Sequence, residues 1–252
     1  MTFFEAITLG IIQGLTEFLP ISSSGHLVLV QHILGIEENG NEFEVLVHIG
    51  TLASILVVFS NDLKFLILDF KSEKNQSYII FLFVASLPAA ILGILFKDYF
   101  ELFFDDYFTV SIALMFTGLI LILSYFFKPK NTNLNITSSV LIGLFQALAI
   151  MPGISRSGMT ISAALLIGIK ANDAAKFSFL MAIPIISGAG FLTLLDSFNN
   201  FSITASQGFA AITSSFLVGI FALKWLLSWL GKGKFHYFGI YCVIIGFFTM
   251  IY

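Results

Sequence analysis

Charge is what this chain of 252 residues has least of: Asp, Glu, Lys and Arg make up 11% of it, against 58% hydrophobic residues, where a soluble globular chain carries about 25% charged residues. So few charges cannot solvate a water-facing surface, and the composition implies a lipid solvent. Cysteine is nearly absent as well. Cys242 stands alone in an apolar stretch, which excludes a disulfide framework or a cysteine-based metal cluster and leaves core packing. Basic runs are missing: the 12 Lys and Arg are scattered and the formal net charge is −3, so no nucleic-acid partner is expected. No linker, charge block or low-complexity tract marks a boundary, which implies one integral membrane domain over 1–252. The apolar start lacks a basic n-region and carries Glu5 and Glu17, so it is read as mature structure rather than a cleaved signal.

Long apolar runs are abundant. Six of them, 43–60, 77–96, 109–127, 174–195, 208–230 and 236–252, are long enough at 1.5 Å per residue to cross a hydrocarbon core of roughly 30 Å. Four more are broken by Pro, Gly and Ser: 2–19 followed by 22–34, and 135–150 followed by 154–169. Their shorter arms reach only about 20–24 Å, so each pair is expected to form a re-entrant hairpin. The expected fold is an all-α polytopic membrane protein with six transmembrane helices and two re-entrant helical hairpins.

That crossing count assigns every loop to a side. Lys64, Lys71, Lys74, Lys128, Lys130, Lys170, Lys232 and Lys234 fall together, and the positive-inside rule makes their side cytoplasmic. Glu37, Glu38, Glu42, Glu44, Asp98, Glu101, Asp105, Asp106 and Asp196 fall on the other, with Lys97. Both termini would then lie outside. The hairpins also resemble each other without a gap: Gly10, Gln13, Leu15, Ser22, Ser24 and Gly25 recur 133 positions later as Gly143, Gln146, Leu148, Ser155, Ser157 and Gly158. Two halves, about 1–127 and 134–252, are implied. Three crossings per half would make this an inverted-topology repeat.

Ionisable groups at membrane depth are costly and mostly functional. Glu17, His26, His48 and Arg156 are therefore the candidates, with Glu5 nearer an end. Gln13 and Glu17, four apart, share a helix face leading to the break at Pro20; helix–helix hydrogen bonding is the plainer role for Gln13. Beyond it, Ser22, Ser23, Ser24 and Gly25 form a helix start suited to an anion, with His26 three residues from Ser23. Capping serines and a packed histidine are the plainer alternative. The second break, with Gly153, Ser155, Arg156, Ser157, Gly158 and Thr160, adds a guanidinium able to hold two oxygens in a fork. The implied ligand is phosphorylated. Glu17 would repel it directly, so Glu17 serves either as a ligand of a divalent cation, Mg²⁺ or Ca²⁺ in an oxygen-only site, or as a base. His48, with no acidic neighbour recognised in sequence, is expected to pack or to support the site from outside.

Gln13-Gly14-Leu15-Thr16-Glu17-Phe18-Leu19-Pro20-Ile21-Ser22-Ser23-Ser24-Gly25-His26, together with Pro152-Gly153-Ile154-Ser155-Arg156-Ser157-Gly158-Met159-Thr160, resembles the undecaprenyl-pyrophosphate phosphatase (bacitracin-resistance) family over essentially the whole chain. The resemblance implies removal of the terminal phosphate from a polyprenyl pyrophosphate lipid in the bacterial plasma membrane, on the extracytoplasmic side. The family's acidic pair falls on Gln13 and Glu17, its serine and histidine on Ser23 and His26, and its arginine motif on Ser155, Arg156 and Thr160. Glutamine at 13 leaves one carboxylate rather than two, which weakens a metal clamp and puts the weight on Glu17. Ser23 as nucleophile, with Glu17 or His26 taking its proton, and His26 as nucleophile both remain open. So do a secondary transporter or flippase of polyprenyl phosphate, which would need much of the same anion cradle, a structural scaffold, and a homo-oligomer.

Overall fold

The computed structural model describes residues 1–36, 42–96, 99, 107–127, 130–197 and 203–251, with side chains of 193–197 excepted. Glu37, Glu38, Lys97, Asp98, Glu101, Asp105, Asp106, Lys128 and the side chain of Asp196, assigned to sides above, lie outside the described residues. Among the described residues there are eleven helices and no strand. We number them α1 (Phe3–Thr16), α2 (Ser23–Leu34), α3 (Glu42–Val58), α4 (Ser60–Leu68), α5 (Glu73–Leu95), α6 (Tyr107–Tyr125), α7 (Ile136–Leu148), α8 (Arg156–Leu166), α9 (Ala171–Ser197), α10 (Ala205–Gly231) and α11 (His236–Ile251).

Four of these, α5, α6, α9 and α10, are long and apolar enough to cross a membrane. The run expected as one helix over 43–60 ends at Val58, and α4 leaves it at a 69° bend, so α3 and α4 together make at most a fifth, broken span. The last run forms the 16-residue α11, which stands with α1 and α7 among the shorter apolar helices. Pro88 and Pro184 lie inside α5 and α9, and both helices continue through them.

Short helices in lipid must close their own ends. Thr2 accepts from the Glu5 amide while Glu5 Oε2 accepts from the Thr2 amide, a reciprocal cap that uses up Glu5. Asn135 and Ser138 close α7 the same way, and Ser22 and Ser155 each cap a hairpin's second helix.

Helices are held by close approach at small residues, because lipid supplies no hydrophobic force between them. α1 lies against α10 so tightly that a Cβ on Gly14 would sit 2.6 Å from the Ser215 carbonyl oxygen. α7 makes the same kind of contact with α5, where a Cβ on Gly143 would sit 2.5 Å from the Ala85 carbonyl oxygen. α6 pairs with α11 through Gly118 and Gly239, and α3 packs on both α10 and α9. The α1–α10 contact fixes the end of α1, and with it Glu17.

Gly14→Ala is expected to destabilise the fold by about 1–3 kcal/mol through overpacking, whereas Gly188, with open space around its Cβ position, should tolerate alanine or gain up to about 1 kcal/mol of helix propensity. Thermal unfolding of both variants in detergent checks this; equal effects would contradict the packing argument.

Candidate active site

The site is assembled where the two hairpin turns touch. A Cβ on Gly25 would lie 3.4 Å from Gly153 Cα, and one on Gly158 would lie 3.3 Å from Pro20 Cβ. A Cβ is close to the limit of what fits at both places, so side chains longer than that of alanine would press the turns apart. Gly153 also turns the chain at φ +89°, and the Thr117 hydroxyl holds the loop by donating to its carbonyl and accepting from the Ser155 amide. In the first turn the unusual conformation falls on Ser22, at φ 69°. Positive φ at a serine is disfavoured. Here it reverses the chain so that Ser22 caps α2 and Ser23 faces back toward α1.

Glu17, 8% exposed, is the centre. Its Oε1 accepts from Arg156 NH2 at 2.6 Å. Its Oε2 accepts from the Ser23 hydroxyl at 2.7 Å and from Gln13 Nε2 at 3.1 Å, and His48 Nε2 stands 3.6 Å from the same oxygen. The second guanidinium nitrogen, Arg156 NH1, is buried without a hydrogen-bond partner, and so is Gln13 Oε1. Around these groups lies a cavity of about 340 Å³. Serines 22, 23, 24 and 155, Glu44 and His48 form its polar wall, and Ile185, Ile186 and Ala189 of α9 form an apolar one. The starts of α2 and α8 border it, and the amides of Ser23, Ser24, Arg156 and Ser157 there have, by position, no intrahelical partner.

Most of the residues picked out by sequence meet here: Glu17, Ser22, Ser23, Ser24, Ser155 and Arg156 line the cavity, and Gln13 supports Glu17. Others sit behind it. The Gly25 and Gly158 amides are used by the capping hydroxyls of Ser22 and Ser155. Ser157 approaches the Leu19 carbonyl, and Thr160 bonds the Ser178 hydroxyl at 2.6 Å, joining α8 to α9. His26 turns from Ser23: its Nδ1–H donates to the Ser22 carbonyl at 2.8 Å, which leaves Nε2 to accept from the Tyr241 hydroxyl at 2.8 Å. Sequence reasoning missed the inward place of His48. Its Nδ1–H is fixed by the Glu44 carbonyl at 2.6 Å, so Nε2 is aimed at Glu17. Glu44 and His48, four apart on an otherwise apolar helix, were the available signal.

A metal ion held by protein alone has thin support. Among the described residues no three His, Cys, Asp or Glu side chains cluster for one. The donor set does fit a hard cation shared with a phosphorylated ligand, because Gln13 Oε1 is a buried oxygen in need of a partner and lies on the side chain that contacts Glu17.

Over residues 6–248 the sequence matches the family described as Bacitracin resistance protein BacA. It is 43% identical over 261 residues to an undecaprenyl-diphosphatase of Halothermothrix orenii, covering 100% of this chain and 98% of the relative. The undecaprenyl-diphosphatase of Carboxydothermus hydrogenoformans is 42% identical over 254 residues, covering 98% and 95%. Undecaprenyl-diphosphatase 1 of Bacillus cereus is 38% identical over 259 residues, covering 98% and 96%.

Removing one partner of a buried ion pair strands the other. Arg156→Gln should therefore cost about 3–5 kcal/mol of stability, and the double variant Glu17→Gln/Arg156→Gln distinctly less. A double-mutant cycle on the unfolding midpoint reads this directly; strictly additive losses would mean that the pair is not coupled.

Proposed function

This chain belongs to the bacitracin resistance protein family BacA, and from that membership we propose that it removes the terminal phosphate of undecaprenyl pyrophosphate in the bacterial plasma membrane. The products are inorganic phosphate and the monophosphate lipid, the carrier reused for cell-wall precursors, and bacitracin resistance follows from sustaining that pool. One observation carries the assignment of the site: Ser23 and Arg156, from different hairpins, meet on the two oxygens of Glu17 at the wall of one cavity.

The chemistry follows from these contacts. Arg156 NH1, the free arm of the fork, takes an oxygen of the outer phosphate together with the first-turn amides of α2 and α8. Ser23 Oγ attacks the outer phosphorus, its proton passes to Glu17, and the bond to the bridging oxygen breaks to release the lipid monophosphate. Water then hydrolyses the phosphoserine, giving inorganic phosphate and restoring Ser23. As the phosphate draws Arg156 toward itself, Glu17 becomes a better base, and His48 stands next to share the proton. Both ring nitrogens of His26 are already bonded, which favours Ser23 as nucleophile and gives His26 the work of holding the Ser22 turn against Tyr241. Mg²⁺ or Ca²⁺, held by Gln13 and Glu17 and completed by phosphate oxygens, would neutralise the charge of the transferring group when bound. The isoprenoid tail leaves along the apolar wall of α9.

For the topology, we read six crossings and two re-entrant hairpins in inverted repeat, with the site extracytoplasmic and both termini outside. Helix pairing supports this: α1 on α10 answers α7 on α5, and α3 on α10 answers α9 on α5.

Phosphate release from undecaprenyl pyrophosphate by purified protein tests the reading. Ser23→Ala and Arg156→Ala should each lose at least about 100-fold in kcat, and chelator should lower the wild-type rate. His48→Ala should lose about 10- to 100-fold, with His26→Ala compared beside it. Full activity in the Ser23 and Arg156 variants would discard the site; absent release by wild type, with lipid phosphate movement across vesicles, would favour transport.

A further inference from the structure

A second cavity, of about 560 Å³, lies at the other end of α9 from the catalytic one and plays no part in the reaction above. Asp62, Lys74, Tyr78, Asp173 and Lys176 are among its walls, at the start of α5 and α9 and along α4. Asp62 and Lys176 are ion-paired with each other across it. That leaves one positive and one negative side chain, Lys74 and Asp173, both exposed at the rim and in no ion pair with a described residue. The Tyr78 hydroxyl is buried and has no hydrogen-bond partner. A buried hydroxyl is rarely left unsatisfied without a ligand or water to meet it.

Adjoining the cavity is an apolar groove of about 330 Å³ between α4, α5 and α9, whose walls include Leu66, Ile79, Leu82, Leu180 and Ile183. Leu66 belongs to both spaces. Along α9 the distance from Asp173 in the cavity to Pro184 in the groove is about 16 Å, roughly half the thickness of a hydrocarbon core. The next residues, Ile185 and Ile186, already line the catalytic cavity. Polar cavity and groove together have the shape of one lipid in one leaflet. A soluble ion would leave the groove empty, and a hydrocarbon would leave the buried Tyr78 hydroxyl unmet.

The spare charges are of opposite sign and equal number, so the headgroup they match carries both. We propose that this cavity and groove bind a zwitterionic glycerophospholipid of the ethanolamine type, with its phosphate at Lys74, its ammonium at Asp173 and the Tyr78 hydroxyl, and an acyl chain along Leu180 and Ile183. A primary ammonium donates hydrogen bonds to a carboxylate, which a quaternary choline does not. An anionic headgroup would meet Lys74 but set its charge against Asp173.

Native mass spectrometry of the full chain released from detergent tests this, with phosphatidylethanolamine, phosphatidylcholine and phosphatidylglycerol supplied at equal concentration. Phosphatidylethanolamine should be retained about tenfold better than the others, the worth of one charge-assisted contact. Asp173→Asn and Lys74→Gln should each remove that preference, Leu180→Trp should lower binding of every lipid at this place, and Arg156→Ala should leave it intact. Phosphate release by the Asp173 and Lys74 variants at the wild-type rate shows that they are folded. No preference for the ethanolamine lipid, or a preference untouched by both charge substitutions, would overturn the proposal. Since retention is read without turnover, failure here is distinct from failure of the phosphatase reading.

Discussion

A carboxylate buried among apolar helices has to be neutralised where it sits, and the pairing of Glu17 with Arg156 is the contact on which the rest of this structure depends. An unpaired charge there would cost several kcal/mol at the least. The partner comes from a hairpin 139 residues away, so satisfying Glu17 requires both hairpin turns in one place. Glycines let that happen. Gly25, Gly153 and Gly158 bring the turns into backbone contact, and Gly14 lets α1 lie on α10 closely enough to set the height of Glu17. Position, charge and packing are thus one constraint: loosen the glycine contacts and the carboxylate loses its guanidinium.

The same constraint explains why so many hydroxyls surround the site and so few are free. Every helix start in a low-dielectric setting leaves amides that water cannot reach. Ser22 and Ser155 meet that need as caps, and Thr160 is spent on Ser178. Ser23 differs because its hydroxyl donates to a carboxylate instead of closing the backbone. Among the serines of the two breaks it is the one whose hydrogen bond also raises its nucleophilicity.

Local signals in the sequence made the hairpins legible. Pro20, Pro152 and the serine and glycine clusters interrupt apolar runs, and their effects are decided within a few residues. Glu17, Ser23 and Arg156 were legible too, since a charge or a surplus hydroxyl in such a run needs a reason. What the sequence hid was direction. His26 and Ser23 are one turn apart, which suggested a pair, yet His26 is claimed by Tyr241, 215 positions away. His48 had the opposite fate, because whether a helix face looks at lipid or at Glu17 depends on α3 packing between α10 and α9. The bend between α3 and α4 was easy to pass over: no proline or glycine marks it, and Ser60, Asn61 and Asp62, which favour a helix start over a helix interior, are its local signal.

The likeness of the two breaks, 133 positions apart, takes on a chemical meaning through these contacts. Position 23 in the first hairpin answers to position 156 in the second, each the first residue of its helix after a capping serine. One is a serine and the other an arginine, and both end on Glu17. The residue answering to Glu17 is Ile150, which lines the same cavity as part of its apolar wall. Gln13 has kept its identity at Gln146 but not its partner: Gln13 donates to Glu17, while Gln146 donates to the Ala85 carbonyl and ties α7 to α5. Two identical hairpins would have offered either two carboxylates facing each other or two guanidinium groups, and each arrangement repels itself at this separation. The difference at these two positions gives one neutralised pocket instead, with the serine hydroxyl on one hairpin and the guanidinium on the other.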